Sequence, residues 1–443
     1  MAVSHRVEPA RWQAESDKLL DRMAGRFVRV ETRRRVRGFL FGLLADLPRK
    51  NCWSIAEHAG DRDPHGMQHL LNRAVWDTDG VREDLRDYVI SGLGDTDAVL
   101  VVDETGDLKK GNHTVGVQRQ YTGTAGRIEN AQVGVYLTYA GCGGHAMIDR
   151  ELYLPKSWTS DDQRCAAAGV PADIGFATKP ALAAGMLIRA LNAGVPARWV
   201  AGDEVYGADP ALRAELEYRR VGYVLGIGCD RRVPTEAGLL RADEIAAALP
   251  KRAWQRLSAG PGAKGQRYYD WALISHLDPA GDPDPTDPTD QQCWWLLVRR
   301  HIRTGELAFY RCYSPDLVPL RELIRVAGRR WTVEESFQAG KGLAGLDEHQ
   351  VRRWISWRRW TLLAMLAHAL LAVIAAREHT LPPTTNDLIA LTCNEIRRLF
   401  LNYVIEPSRA LICPLAWSRW RRHHQHRART SHYQRQETTR PRR

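Results

Sequence analysis

Val99-Leu100-Val101-Val102-Asp103-Glu104-Thr105-Gly106-Asp107-Leu108-Lys109-Lys110-Gly111 is the stretch whose reading decides the fold. Four consecutive aliphatic residues, mostly β-branched, predict a short buried strand. That strand runs into Asp103, and acids, a Gly and two Lys follow at once. A strand buried on both faces holds a terminal carboxylate still at a sheet edge, and a turn after it exposes that carboxylate to metal and substrate. Taken alone, the stretch equally describes a strand end with a solvated acidic turn. The rest of the chain must supply partners for Asp103.

One partner lies a hundred residues on. Pro196-Ala197-Arg198-Trp199-Val200-Ala201-Gly202-Asp203 is a second short strand ending in Asp, followed by Glu204-Val205-Tyr206-Gly207. Helical patterns at 181–192 and 212–220 and a buried strand at 222–228 surround it. The segments 114–121 and 131–139 alternate like antiparallel strands. The region is therefore an α/β core in which two strands present Asp at their C-terminal ends, where ligand sites in open α/β sheets lie.

A third carboxylate comes from Arg329-Arg330-Trp331-Thr332-Val333-Glu334-Glu335-Ser336-Phe337-Gln338-Ala339-Gly340-Lys341, which reads as a helix. Arg330, Glu334, Gln338 and Lys341 follow one another at steps of four, four and three beside an apolar face. By itself this is equally an Arg–Glu surface pair of a few tenths of a kcal/mol. Two strand-end Asp and one helix Glu are, however, what a divalent-metal site needs. Mg²⁺ takes oxygen ligands, and two such ions roughly 4 Å apart serve phosphodiester cleavage or transfer. Lys109, Lys110, Arg119, Arg330 and Lys341 are candidate cations for DNA phosphates.

The 443 residues are 44% hydrophobic and 26% charged, an ordinary globular composition with room for several domains. The longest apolar run, Thr361–Ala376, is short of the roughly 20 residues of a membrane span and carries His368, so a buried helix is expected. The N-terminus has no apolar core of a signal peptide. Eight scattered Cys without a CxxC pair support neither a zinc knuckle nor a redox motif. Reduced thiols in a cytoplasmic protein are the expectation, with no membrane partner.

Residues 1–92 read as helical. Arg33–Leu47 is an amphipathic helix stopped by Pro48, and Ser54 is placed to cap a short helix with Glu57 in a capping box, ending at Gly60. A second short helix follows from Pro64 to Ala74. The pair suits a helix-turn-helix DNA-binding module or a plain helical bundle. Residues 97–229 form the first part of the core and 230–320 a β-rich insertion. The insertion contains Asp278–Asp290, with five Asp and four Pro, expected as a solvated loop. Residues 321–376 carry the Glu helix and a closing core helix, and 377–417 a further helical segment that includes Asn386–Leu401. The net charge of +11 is concentrated at 418–443, where nine Arg stand against one Glu. This tail is expected to be disordered, either binding polyanions or solubilising the chain. Its His423, His424 and His426 read as part of the polar tail rather than as a metal site.

The run Asp103-Glu104-Thr105-Gly106 … Lys109-Lys110-Gly111 … Val115-Gly116-Val117-Gln118-Arg119-Gln120-Tyr121 … Asn130-Ala131-Gln132 resembles the first catalytic block of IS701-family DDE transposases. Ala201–Gly207 resembles the second. Arg330–Phe337 with Lys341, Gly345-Leu346-Asp347 and Val351-Arg352-Arg353-Trp354 resembles the third. Likeness to the family extends over about residues 35–375. It implies an α/β, RNase H-like catalytic core with a β-rich insertion, preceded by a helical N-terminal DNA-binding domain. It implies Asp103, Asp203 and Glu334 as catalytic and metal-holding residues for Mg²⁺ (or Mn²⁺), with Arg352 and Arg353 joining the DNA-binding cations. The third block also resembles the IS4-like Tyr–Arg–Glu–Lys signature, whose spacing selects Glu334 over Glu335. Ala327 stands in the place of its Tyr, Glu104 in the place of a second Asp, and Ala131 in the place of a frequent Cys.

The implied partners are transposon ends and target DNA, bound by a homodimer on paired ends, in a bacterial cytoplasm at the nucleoid. The function expected is metal-dependent DNA cleavage and strand transfer for an insertion sequence. The alternatives are a domesticated or inactive transposase acting as a non-catalytic DNA-binding protein, and a nuclease that cuts without joining.

Overall fold

A computed structural model describes residues 8–235, 237–262, 265–276, 293–380 and 390–407, and near the C-terminus residues 420, 422, 424, 425, 427 and 431. Five helices come first: α1 (Pro9–Arg22), α2 (Val30–Leu44), α3 (Cys52–His58), α4 (His65–Asn72) and α5 (Thr78–Leu93). The cap of α3 is Asn51 rather than Ser54. The Asn51 side chain accepts from the Trp53 and Ser54 amides, and Ser54 closes the capping box from the third helical position. A positive φ at Gly60 ends the turn after α3, as the sequence suggests.

Next come β1 (Val99–Leu108), β2 (Gln118–Thr122), β3 (Arg127–Gly141), β4 (Gly144–Leu152), α6 (Lys156–Thr159), α7 (Asp162–Ala168) and α8 (Lys179–Asn192). They are followed by β5 (Trp199–Gly202), α9 (Glu204–Gly207), α10 (Pro210–Tyr218) and β6 (Gly222–Ile227). The strand expected from Thr114 is shorter, because the Val115 amide donates to the Arg352 carbonyl instead of to a ladder. Val115 and Val117 pack in a small separate cluster with Trp158, Trp354 and Trp357.

The remaining elements are β7 (Arg232–Thr235), β8 (Gly238–Arg241), α11 (Ala242–Ala247), β9 (Gln255–Gly262), β10 (Gly265–His276), β11 (Cys293–Arg300), β12 (Leu307–Ser314), α12 (Leu320–Arg329), α13 (Trp331–Ala344), α14 (Trp354–Thr380) and α15 (Cys393–Phe400). The protein is thus mixed α/β. One large sheet runs in the order β2-β3-β1-β5-β6-β12-β11-β10-β9, with β4 on β3. β1 is parallel to β5 and β5 to β6, whereas β3 and β12 are antiparallel to their neighbours. The β-rich segment is not a detached lobe: β12 pairs with β6 and carries the sheet onward.

α14 fills the centre. It is the described helix long and apolar enough to cross a membrane, but its apolar stretch is wholly buried in the fold, as expected of a core helix. It packs against α2, α4, α5, α13 and β4. The N-terminal helices therefore share one apolar core with the sheet. The seven described cysteines form no disulfide. Asp278–Asp290 and most of the basic tail lie outside the described residues. Of the tail, the few described residues are helical, and Trp420 and His424 pack on Trp53.

Candidate active-site cleft

The register of two strands builds the site. Val99, Leu100 and Val101 of β1 pair in parallel with Trp199, Val200 and Ala201 of β5. Asp103 and Asp203 each lie two residues past the last pair of this ladder. β5 ends at Gly202, and Asp203 becomes the cap of α9, its Oδ1 accepting from the Val205 amide at 2.9 Å. The turn into α9 is tight: a Cβ at Gly207 would overlap the Gly226 carbonyl oxygen of β6.

β1 does not stop at Asp103. It continues to Leu108, paired with β3 throughout, so no turn follows the aspartate. Asp103 is 7% exposed, and its Oδ1 accepts the Glu104 amide at 2.8 Å. Burial pushes its carboxyl up to about 8; the Arg330 charge opposes this, while Asp203 and Glu104 add to it. The Asp203 carboxyl is raised too, by burial and by Glu104, with Arg330 again opposing.

α12 and α13 are nearly continuous, and Arg330 sits at their joint with helical dihedrals. One turn on, Glu334 is exposed and lines the same cleft as Asp103 and Asp203, together with Arg330 and Lys341. The cleft has a volume of about 730 Å³. Glu335 faces the other way, its carboxylate 3.3 Å from His145 Nε2. Hydrogen bonding to His145 holds the Glu335 carboxyl below its usual range despite partial burial. The Lys341 ammonium donates to Thr105 Oγ1 at 2.8 Å.

The other expected DNA-binding cations do not line the cleft. With β1 unbroken, Lys109 lies about 20 Å along the strand from Asp103. There it is mostly buried, and its ammonium donates to the His349 carbonyl at 3.1 Å. Lys110 is exposed just past the strand end. Arg119 alternates to the opposite face from Gln118 and Gln120, which line the cleft. Arg352 and Arg353 are exposed in the loop before α14.

Sequence reading also missed what holds Glu104. Its two oxygens accept from the Lys179 ammonium and the Tyr206 hydroxyl, each at 2.6 Å. Lys179 opens α8, 75 residues away, and no local spacing connects the two. A second cleft of about 740 Å³ adjoins the first through Asp203 and Arg330. Arg267, Arg299, Tyr269 and Trp331 line it, with the Arg299 guanidinium 4.8 Å over the Tyr269 ring.

Fold and cleft together define an α/β protein whose mixed sheet opens into a carboxylate-lined groove flanked by cations. Residues 22–248 match the DDE superfamily endonuclease family, and the chain belongs to that family. This match spans Asp103 and Asp203 and ends before Glu334. The chain is also similar to the probable transposase for insertion sequence element IS701 of Microchaete diplosiphon, at 24% identity over 334 residues, covering 71% of this chain and 75% of that protein. These findings agree with the IS701-family resemblance of the three motif blocks. Among solved structures it is similar to the piggyBac transposase in a synaptic complex with hairpin DNA. There the TM-score is 0.45 at 10% identity, covering 89% of this chain and 80% of that one.

Proposed function

We propose that the protein is the DNA transposase of an insertion sequence, cutting the ends of its element and joining them to target DNA with a divalent metal ion. The observation that carries this reading is that Asp103, Asp203 and Glu334 line one cleft, the two aspartates just past the parallel β1–β5 ladder. The strand order β4-β3-β1-β5-β6, antiparallel as far as β1 and parallel from there, supports an RNase H-like core. On that reading β9 to β12 are the β-rich addition before the Glu helix.

Among the described residues no three His, Cys, Asp or Glu side chains form a closed cation cage. The donor set nonetheless fits a hard cation. Asp103, Asp203 and Glu334 offer only oxygen, and the buried Asp103 and half-buried Asp203 lie near each other with one guanidinium beside them. These three would hold Mg²⁺ or Mn²⁺, which when bound polarises phosphate oxygens and makes water a better nucleophile.

The chain's own residues do the positioning. Arg330 stands where both clefts meet and would hold the phosphate at the cut. Lys341, fixed by Thr105, would hold the next one. Lys179 and Tyr206 occupy both oxygens of Glu104 beside the aspartates, so it is held there without being free to act as a ligand. Lys110, Arg119, Arg352 and Arg353 are left for the flanking duplex, and the family resemblance assigns two copies to paired ends.

The test is incubation with Mg²⁺ and DNA carrying the ends of its own element, beside an Asp203→Ala variant. Cleavage by the wild type alone supports the reading. Specific binding without cleavage by the wild type would move the assignment to a non-catalytic DNA-binding protein.

A further inference from the structure

Helix α4 has a buried side made of Met67, Leu70 and Leu71. Its outer side presents His65, Gln68, His69 and Asn72, with Arg73 at its end, and these five line a groove of about 390 Å³. The spacing of three and four residues puts them on one face. Among the described residues, Gln68, His69, Asn72 and Arg73 have no side-chain hydrogen-bond partner. A face of amides, imidazole and guanidinium without an apolar member is poor material for a protein interface. It is good material for base edges, since Asn and Gln pair bidentately with adenine and Arg with guanine.

This face is held rigidly. Arg359, buried in α14, donates to the Leu70 and Ala74 carbonyls at 3.1 and 2.7 Å, and Trp76 Nε1 donates to Leu70 at 3.0 Å. These bonds satisfy the carbonyls that a helix end leaves open. They tie α4 to the core helix of the catalytic body.

The second observation concerns the far end of the chain. Trp420 packs edge-on against Trp53 of α3 with ring centres 4.6 Å apart, and lies 6.1 Å from His65 of α4. His424 stacks on Trp420 at 5.3 Å and meets Trp53 at 4.8 Å. Trp420 and His424 are thereby held beside α3 and α4, and the described Arg422 and Arg427 are exposed. The Arg35 side chain lies across Gly66 in the first turn of α4.

We infer that α4 and the docked C-terminal segment form one composite surface for duplex DNA. Gln68, His69, Asn72 and Arg73 read base edges in the major groove, while Arg422 and Arg427 take phosphates. This rests on the transposase reading and adds which helix reads the ends and why both termini are needed.

The test uses the full chain without metal, so that binding is read apart from cleavage. Affinity is measured over a range of salt for short duplexes of the DNA bordering its own gene and for scrambled duplexes. Gln68→Ala/Asn72→Ala is expected to weaken the bordering duplex by about tenfold or more and to leave the scrambled one unchanged. Trp420→Ala is expected to weaken both equally and to flatten the salt dependence, because phosphate contacts are lost. Melting temperatures near that of the wild type show that both variants fold. Discrimination retained by Gln68→Ala/Asn72→Ala, or an unchanged salt dependence in Trp420→Ala, would overturn the inference and leave the transposase reading standing. A wild type that binds both duplexes alike would overturn the two together.

Discussion

Asp103 of β1 and Asp203, the cap of α9, each lie two residues past the last pair of the β1–β5 ladder, Val101–Ala201, and line one cleft, although a hundred residues separate them in the chain. β5 ends there and β1 does not. One aspartate is therefore fixed by strand pairing to β3 and the other by capping α9. Neither depends on a loop for its position.

The burial of Asp103 has a pH consequence. Its folded carboxyl is raised to about 8 from 3.8, so its contribution to stability is whole below about pH 4 and is lost as pH rises through 8. Metal-free protein is expected to lose on the order of a few kcal/mol over that window. Asp103→Asn should lack this loss and melt higher than the wild type above pH 8. Added Mg²⁺ should raise the wild-type melting temperature more at pH 8.5 than at pH 6, because the cation binds the ionised form. Thermal melts at the two pH values decide it.

Glu334 and Glu335 are adjacent but face different partners. Glu334→Gln should abolish cleavage, by a factor of about 10² or more, and leave the melting temperature unchanged. Glu335→Gln should keep cleavage and loosen only the contact with His145. Parallel cleavage assays and melts separate the two; equal loss of cleavage in both would contradict the assignment.

Lys179 holds Glu104 beside the aspartates. Lys179→Met is expected to slow cleavage about 10–100-fold, the usual size of an effect on a neighbour of a metal-holding group. DNA affinity should stay the same. Single-turnover rates set against binding curves would show whether the loss lies in the chemical step.

Gly207 lets α9 approach β6 so closely that a methyl group meets the Gly226 carbonyl. Gly207→Ala should cost about 1–3 kcal/mol of stability and displace Asp203. Urea unfolding measures the first effect and Mg²⁺ affinity the second.

That Asp103 and Asp203 follow buried strand segments and Glu334 lies on a helix was legible in the sequence, because each follows a strong local pattern: two apolar runs leading into Asp, and a helix with cations at steps of three and four. The continuation of β1 was not legible. Glu104, Thr105, Gly106 and Asp107 carry no strand pattern of their own and are extended because β3 pairs with them, Gly106 opposite Val133. Reading a turn there placed Lys109 beside the site, whereas it is mostly buried and bonded to the loop at His349. The partners of Glu104 and the docking of Trp420 on Trp53 join residues far apart in the chain, which spacing cannot reveal. The cap of α3 moved from Ser54 to Asn51 because both residues can cap, and the side chain that bonds to the first free amides decides the start.

If Asp203 holds the divalent metal ion proposed for DNA cleavage, a change of its ligand atom must change the metal preference. Asp203→Cys replaces a hard oxygen ligand by a softer sulfur. Cleavage of DNA carrying the element's ends should be lost with Mg²⁺ and recovered with Mn²⁺, while the wild type works with both. Equal cleavage by variant and wild type in Mg²⁺ would contradict the assignment.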